Sequence, residues 1–160
     1  MKIKIGFGFD VHQLRDNHPF VLGGVNLEHR SGAYGHSDAD VLLHAICDAI
    51  LGAANLRDIG YHFSNTDDRW KGISSLVLLK ECLTLIEQKG FAVGNIDAMI
   101  CLEAPKINPH VEQMKVNISK ATGIDVGDIS IKATTNEALG FIGRGEGIVA
   151  YAVCLLEKIA

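Results

Sequence analysis

A strictly alternating segment near the start, KIKIGFGFDVH at residues 2–12, constrains the fold more than any other part of the sequence. Successive side chains of a β-strand point to opposite faces, so this alternation predicts a strand with two unlike faces. One face carries Ile3, Ile5, Phe7, Phe9 and Val11. The other carries Lys2, Lys4, Gly6, Gly8, Asp10 and His12. The glycines leave room on this second face, and its carboxylate and imidazole are half of a possible metal site.

Length and charge limit the classes of function. A chain of 160 residues with 48% hydrophobic residues predicts one folded domain, residues 1–160, with a substantial core. Its net charge of -4 predicts no general attraction to nucleic acid or to an anionic membrane. A bound phosphate must therefore be held by local devices such as metal ions, helix ends and single lysines.

Cysteine spacing and the opening segment indicate the compartment. Cys47, Cys82, Cys101 and Cys154 are widely separated and form no CxxC pair, which is typical of buried thiols in a reducing compartment. The opening MKIKIGFGFD is too short and too alternating for a signal peptide, and no apolar stretch approaches the roughly 20 residues that span a bilayer. We expect a soluble, cytoplasmic protein.

The first half of the chain predicts strands followed by a helix. Two short apolar segments within 20–27 indicate a glycine-linked strand pair, and a loop spans 28–35. Apolar residues at helical spacing after position 40 predict a helix, with Ser37 as its N-cap. The polar segment 57–72 is a loop long enough to suggest a function.

The second half alternates helices with strands. Its predicted elements are a helix over 74–89 that stops at Gly90, a strand over 91–103, a helix capped by Asn108 with Pro109 at its first position, and strands over 128–135 and 148–157. Together the elements predict an α/β (or α+β) single domain, in which helices pack on one face of a mixed sheet.

The first predicted helix offers further metal ligands. Asp40, His44 and Asp48 recur every four residues and so form a stripe. His44 could complete a three-ligand site with Asp10 and His12, and zinc held by three N or O ligands keeps a position open for substrate. Asp40 or Asp48 could then orient an imidazole. The alternative is that His44 is a hydrogen-bonded histidine at the edge of the core, because Asp-x-His is a short and common pattern.

Three further segments are candidates for phosphate binding. His36 and Ser37 precede a helix, whose free N–H groups attract anions, although an ordinary capped helix with Asp38 and Asp40 against its dipole explains the same residues. Thr134, Thr135 and Glu137 suit a Mg²⁺ ion that shares phosphate oxygens, and a turn of small polar residues is the alternative. Lys106 is either a phosphate contact or a solvated lysine.

Taken together, these segments resemble one family, the 2-C-methyl-D-erythritol 2,4-cyclodiphosphate synthases of the non-mevalonate isoprenoid pathway. The resemblance covers essentially the whole chain, and several rare motifs in the right order make it specific. It rests on GFDVH (8–12), LGG (22–24), HSDADV (36–41), LHA (43–45), DAILGAA (48–54), DIG (58–60), APK (104–106), KATT (132–135) and LGFIGRGEGI (139–148).

The resemblance implies a reaction, its cofactors and an assembly. Members convert 4-diphosphocytidyl-2-C-methyl-D-erythritol 2-phosphate into the cyclic 2,4-diphosphate and release CMP. They are homotrimers with active sites at the subunit interfaces and an apolar axial cavity that could hold an isoprenoid diphosphate. Each subunit would bind one Zn²⁺ through Asp10, His12 and His44, and Glu137 would hold a Mg²⁺ or Mn²⁺ that bridges the substrate diphosphate.

The resemblance also assigns roles to individual residues. His36 and Thr135 would be catalytic, by positioning the reacting group and stabilising the transition state. The methylerythritol phosphate and the ribose would be bound by Asp10, Val11, His12, His36, Ser37, Asp58, Ile59, Gly60, Phe63, Ser64, Asn65, Thr66 and Asp67. The cytidine pocket would be formed by Leu102, Glu103, Ala104, Pro105, Lys106, Ile107 and Asn108. The diphosphate site would be formed by Thr134, Thr135, Asn136 and Glu137, with Phe141 and Arg144 near the phosphates and the trimer axis.

Several positions depart from the family pattern. The family usually has Pro-Asp where this chain has Ser64-Asn65, so this chain lacks one acid near the methylerythritol hydroxyls. It usually has Thr and Lys at Asn136 and Ala138, and a His is frequent at Phe7. The zinc ligands, Thr135 and Glu137 match the family pattern, so we expect activity, and only the contacts of the 63–67 loop are expected to differ.

Two other functions fit the same residues. A zinc-dependent phosphate-ester hydrolase would use the same three ligands with a bound water as the nucleophile. A non-catalytic trimer that binds isoprenoid diphosphates would use the phenylalanines of the first strand together with Arg144.

Overall fold

Strands and helices alternate along residues 3–159, the part of the chain that the computed structural model describes; Lys2 lies outside it. The strands are β1 (Ile3–Asp16), β2 (Phe20–Leu22), β3 (Val25–Leu27), β4 (Ser31–Tyr34), β5 (Phe91–Cys101), β6 (Ile129–Thr134) and β7 (Gly147–Lys158). The helices are α1 (Val41–Ala53), α2 (Ile59–His62), α3 (Ser75–Glu87), α4 (Val111–Thr122) and α5 (Gly140–Gly143).

Five strands form one mixed sheet in the order β4-β1-β7-β5-β6, and β2 pairs with β3 in a separate ribbon. Only β5 and β6 run parallel; the other neighbours in the large sheet are antiparallel. The prediction of a single α/β domain with a mixed sheet is therefore confirmed. Because β1, β5 and β6 all point the same way, their carboxyl ends meet at one edge of the sheet.

The glycines of β1 let α1 lie directly against the sheet. A Cβ atom on Gly6 would stand 1.8 Å from the Ala49 carbonyl oxygen, and one on Gly8 would stand 1.9 Å from that of Ala45. No side chain fits at these distances, so the two glycines set the separation of strand and helix. This close approach brings the His44 side of α1 next to the end of β1.

The opposite face of β1 and β7 is open in the single chain. Ile5 is 71% exposed and Phe7 63% exposed, and Phe9, Tyr151 and Val153 are also exposed. The rings of Phe7 and Phe9 lie 6.3 and 5.3 Å from that of Tyr151. The apolar face of the first strand is therefore a continuous surface that the rest of the chain leaves uncovered.

The first helix begins later than its sequence predicts. Its N-cap is Asp40, not Ser37: the Asp40 carboxylate accepts hydrogen bonds from the N–H groups of Leu43 (3.1 Å) and Gly24 (2.7 Å). The Ser37 hydroxyl instead accepts from the Ala39 N–H at 3.2 Å and closes a turn before the helix. Asp40 rather than Ser37 caps the helix because its buried carboxylate binds two backbone N–H groups, one in α1 and one in the β2–β3 turn.

Other boundaries differ in smaller ways. Asn108 does not cap the fourth helix, because a 3-10 turn at Asn108–His110 precedes Val111. The predicted loop at 28–35 contains β4, which pairs with the end of β1. The helix predicted over 74–89 is α3, which Ser74 caps as a hydroxyl acceptor for the Leu76 N–H. The strand pair predicted within 20–27 is present.

The four thiols are free, as predicted, and Cys47, Cys82 and Cys154 are buried. The prediction of a buried thiol was wrong for Cys101, which is half-buried near the end of β5. Within residues 3–159, none of the helices has the length and apolar character needed to cross a membrane.

Candidate metal and phosphate site

Three side chains converge at the carboxyl end of β1. Asp10 Oδ2 lies 2.9 Å from His12 Nε2 and 3.0 Å from His44 Nδ1, and the two nitrogens are 3.2 Å apart. A tetrahedral ion about 2 Å from each ligand separates its ligands by roughly 3.3 Å, so these atoms have the spacing of a zinc site. This is the one group of three such ligands found among residues 3–159.

Local structure explains why the three atoms meet. Asp10 and His12 are two residues apart on β1 and therefore project to the same face, which is the face that α1 covers. His44 lies at the start of α1, one turn after the cap residue Asp40. The close strand–helix contact at Gly8 then places the imidazole above the strand end. The sequence hypothesis that unites Asp10, His12 and His44 matches this geometry.

Each imidazole is held by its second nitrogen. His12 Nδ1 lies 3.1 Å from the Tyr34 carbonyl oxygen, to which an N–H donates. His44 Nε2 lies 2.9 Å from Ser75 Oγ and 3.1 Å from Ser37 Oγ. Such outer contacts orient metal-binding histidines and fix which nitrogen carries the proton.

The two acids expected to orient an imidazole do something else. Asp40 caps α1, and Asp48 Oδ1 accepts a hydrogen bond from the Ile59 N–H at 2.7 Å. Asp48 thereby anchors α2 and the loop that follows it. The expectation for Asp40 and Asp48 was wrong, because both carboxylates accept hydrogen bonds from backbone N–H groups rather than from an imidazole.

Charge inside the triad favours an ionised carboxylate. Burial raises the pKa of Asp10, but hydrogen bonds and charge from His12 and His44 outweigh it and hold that pKa at about 2. For His12, burial lowers the pKa, and the hydrogen bond and charge of Asp10 outweigh it and raise the pKa. The site thus holds a carboxylate against two imidazoles, which is a donor set that suits zinc.

A cavity of about 340 Å³ opens beside the triad. It is lined by His12, Gly35, His36, Ser37, His44, Ile59, Gly60, Phe63, Asn65, Trp70 and Leu78. Most of the residues predicted to bind the methylerythritol part are therefore on its wall. Trp70 and Leu78 were not predicted; Trp70 packs edge-on against Phe63 with ring centroids 5.1 Å apart and forms part of the apolar side.

The remaining predicted residues of this half do not line the cavity. Asp67 pairs with Arg69 at 2.6 Å, and this partner lowers the pKa of the Asp67 carboxyl. The Asp67 carbonyl oxygen lies 3.2 Å from His36 Nε2, so the loop positions that imidazole. Ser64 and Thr66 hydrogen-bond each other at 2.8 Å, Asp58 precedes α2, and the Val11 side chain is on the open face of β1.

A second cavity of about 230 Å³ lies at the ends of β5 and β6. It is lined by Leu102, Glu103, Pro105, Lys106, Ile107, Asn108, Ala133, Thr134 and Thr135. These are the residues of the predicted cytidine pocket except Ala104, together with Ala133 and with Thr134 and Thr135 of the predicted diphosphate site. The sequence predicted this set through the APK and KATT motifs.

The turn after β6 presents the predicted magnesium ligand. Thr135 Oγ1 donates to Glu137 Oε1 at 3.1 Å, and both side chains are exposed. The Glu103 carboxylate accepts from the N–H groups of Asn136 (3.2 Å) and Ala138 (3.3 Å) and so holds the turn. Glu137 has a φ of 51°, in the left-handed region, which this anchoring sustains. Sequence reasoning did not foresee that Glu103 supports Glu137.

The two cavities lie at the same edge of the sheet but far apart. The strand register places Val11, Val149, Cys101 and Thr134 at one level across β1, β7, β5 and β6. Three strand spacings separate β1 from β6, which is roughly 14 Å. Phe141 and Arg144 lie outside both cavities, and Arg144 pairs with Glu146 at 2.8 Å.

Comparison with known proteins gives one consistent result. The model of the YgbB family matches residues 3–157. A protein of Cytophaga hutchinsonii named 2-C-methyl-D-erythritol 2,4-cyclodiphosphate synthase is 65% identical over 99% of each chain. A structure of Plasmodium falciparum IspF, described as a CDP complex, superposes with a TM-score of 0.87 at 34% identity, over 99% of this chain and 97% of that one. The bifunctional IspDF of Campylobacter jejuni gives a TM-score of 0.95 at 40% identity; the alignment covers 99% of this chain and 43% of that longer one.

Proposed function

The chain belongs to the YgbB family, its relatives are named 2-C-methyl-D-erythritol 2,4-cyclodiphosphate synthases, and we propose that this enzyme likewise forms 2-C-methyl-D-erythritol 2,4-cyclodiphosphate. The substrate is 4-diphosphocytidyl-2-C-methyl-D-erythritol 2-phosphate. An oxygen of its 2-phosphate attacks the β-phosphorus, the bond from that phosphorus to the α-phosphate oxygen breaks, and CMP leaves. The reaction belongs to the non-mevalonate isoprenoid pathway.

One observation supports this proposal more than any other: the ligand atoms of Asp10, His12 and His44 converge on the wall of a cavity that also presents His36 and Ser37. The donor set and spacing fit Zn²⁺, and Glu137 offers a carboxylate that fits Mg²⁺ or Mn²⁺. When bound, these ions supply positive charge that polarises the phosphates and offsets their mutual repulsion.

The chain's own residues have the tasks of binding, alignment and charge stabilisation. Ser37 donates its hydroxyl hydrogen to the 2-phosphate, and His36, held by the Asp67 carbonyl, helps to align that phosphate with the diphosphate. Thr135, whose hydroxyl donates to Glu137 in this structure, would turn that hydrogen to the diphosphate as charge builds there, and Lys106 offers a cation at the cytidine end. No protein nucleophile is required, because both reacting groups belong to one substrate and alignment replaces a second collision.

The separation of the two cavities supports an active site shared between subunits. Roughly 14 Å divides β1 from β6 within one chain. The zinc ligands at the end of β1 and Glu137 after β6 have to reach the same diphosphate, so this distance supports a site whose two halves come from different chains. We assign the missing half of each to the neighbouring chain of a homotrimer. The open apolar face of β1 and β7 supports this assembly, since large exposed apolar patches mark interfaces.

The axis of such a trimer would be lined by the same face. Phe7 and Phe9 offer apolar walls, and Arg144 offers a cation. An isoprenoid diphosphate fits this combination of an apolar tail site and a charged end, and we propose it as a ligand of the axial cavity.

Incubation of the purified protein with the cytidine-linked substrate, Zn²⁺ and Mg²⁺ tests the proposed function. We expect CMP and the cyclic diphosphate in equal amounts by chromatography. A hydrolase would release inorganic phosphate or the free alcohol, and a binding protein would show affinity without turnover. Either result would refute the cyclase assignment.

A further inference from the structure

The His44 imidazole is the starting point of a chain of side-chain contacts that leads away from the triad. Its Nδ1 faces Asp10 and His12, and its Nε2 lies 2.9 Å from Ser75 Oγ. The Ser75 hydroxyl in turn contacts the Asp38 carboxylate. Three side chains from the 36–40 turn, α1 and the first residue of α3 thus form one line.

The chemistry of the three groups fixes the direction of each hydrogen bond. A carboxylate only accepts, so the single hydrogen of the Ser75 hydroxyl goes to Asp38. Ser75 Oγ is then left as an acceptor, and its partner must be an N–H on His44 Nε2. The proton therefore belongs on Nε2, and Nδ1 keeps the lone pair that a metal ligand needs.

The surroundings hold this chain rigidly. Ser75 is 0% exposed, and its own N–H donates to Asp38 Oδ2 at 2.9 Å. Backbone hydrogen bonds join the two segments on either side, from Gly72 to His36 (2.8 Å) and from Asp38 to Ile73 (3.0 Å). The Asp38 carboxylate also lies at the N-terminus of α3, where the helix dipole favours a negative charge.

The other contacts of His12 and His44 do not involve a side chain that fixes the position of the imidazole proton. His12 is oriented by a backbone carbonyl, which no substitution removes. Ser37 Oγ lies 3.1 Å from His44 Nε2, but within the described residues its hydroxyl has no carboxylate partner to fix its hydrogen. Ser75 and Asp38 are therefore the side chains that set the state of His44.

We propose that Asp38 and Ser75 are positioning residues that hold His44 in its metal-binding orientation and tautomer. The inference rests on the metal site of the proposed function. It predicts that the affinity for the ion depends on two residues that do not touch it.

The test is a titration of the metal-free full-length protein with zinc alone, in competition with a chromophoric chelator. Ser75→Ala should bind zinc about 10- to 100-fold more weakly, and Asp38→Asn about tenfold more weakly. Ser74→Ala is the matched control: it removes the neighbouring hydroxyl, which caps α3, and should leave zinc affinity unchanged. Thermal unfolding of the metal-free variants should show that Ser75→Ala and Asp38→Asn still fold cooperatively, so that weaker zinc binding does not reflect loss of the fold.

The outcomes separate the inference from the proposed function. If Ser75→Ala and Asp38→Asn bind zinc as tightly as the unmodified protein, the positioning role is refuted and the metal site stands. If the unmodified protein binds no zinc, both the metal site and the positioning role are refuted. If Ser75→Ala does not fold, Asp38→Asn, which keeps the size of the side chain, decides the question.

Discussion

At the scale of single residues, the site depends on one oxygen. Asp10 Oδ2 is within 3.0 Å of both imidazole nitrogens, so the three ligand positions are fixed relative to one another before an ion binds. Preorganisation of this kind reduces the ordering that binding requires. The residues around it contribute mainly by holding the imidazoles, through the Tyr34 carbonyl and Ser75.

Replacing one ligand at a time should distinguish the zinc position from the magnesium position. We expect His12→Ala to lose bound zinc and at least about 10²-fold in turnover, because the ion no longer offsets charge at the phosphates. Glu137→Gln, which lies in the other half of the site, should also lose turnover but keep its zinc. Elemental analysis of both purified variants, with circular dichroism to confirm the fold, checks this. Full zinc occupancy in His12→Ala would contradict the assignment of the ligand.

At the scale of elements, the packing of α1 on β1 decides where the ligands lie. Gly8 permits the contact, because a Cβ atom there would stand 1.9 Å from the Ala45 carbonyl oxygen. The helix is pinned at its start by Asp40 and linked to the α2 loop by Asp48. A shift of α1 away from the strand would therefore separate His44 from Asp10.

Gly8→Ala should destabilise the fold by about 3 kcal/mol, since backbone atoms of the helix have to move to admit a methyl group. Gly52→Ala is the control on the same helix: nothing lies within 4 Å of its Cβ position. Alanine there should stabilise the helix by about 0.5–1 kcal/mol. Urea unfolding measures both. Equal midpoints for the two variants would show that the close contact does not limit the packing.

Sequence reasoning succeeded where the pattern is local and failed where a contact joins distant segments. Alternation placed Asp10 and His12 on one face, and helical spacing offered His44, so the triad could be predicted. Ser75 is 31 positions from His44, and no pattern links the two. Ser37 and Asp40 are both good capping residues, and only the distant Gly24 N–H explains why Asp40 is chosen. The glycines indicated room on one face but not that a helix backbone fills it.

At the scale of the whole molecule, the open face of the sheet and the divided site lead to the same assembly. The chain covers one face of β1 and β7 with helices and leaves the opposite face, which is also apolar, exposed. The cavity beside the triad at the end of β1 and the second cavity at the ends of β5 and β6 are separated along the sheet edge by β7. A homotrimer would cover the face and join the halves at each of its three equivalent boundaries.

A charge on the open face should prevent this assembly. Phe7 is 63% exposed in the single chain, and Phe7→Asp would bring three carboxylates together at the apolar axis of the trimer, at a cost of several kcal/mol. We expect monomers by analytical ultracentrifugation and little turnover. Val77→Asp, an equally drastic change at an exposed position of α3, should stay trimeric. A Phe7→Asp trimer of normal stability would show that another surface forms the interface.

Complementation between two inactive chains tests the central claim most directly, because it asks at once whether the reaction occurs and how its site is built. His44→Ala disables the zinc half, and Glu137→Gln disables the magnesium half. When equal amounts are co-refolded, about three quarters of random trimers are mixed, and one boundary in each pairs two intact halves. The account predicts that CMP release recovers to roughly a quarter of the unmodified activity, while each variant alone stays near zero. No recovery in mixed trimers confirmed by native mass spectrometry would mean that each site is built within one chain.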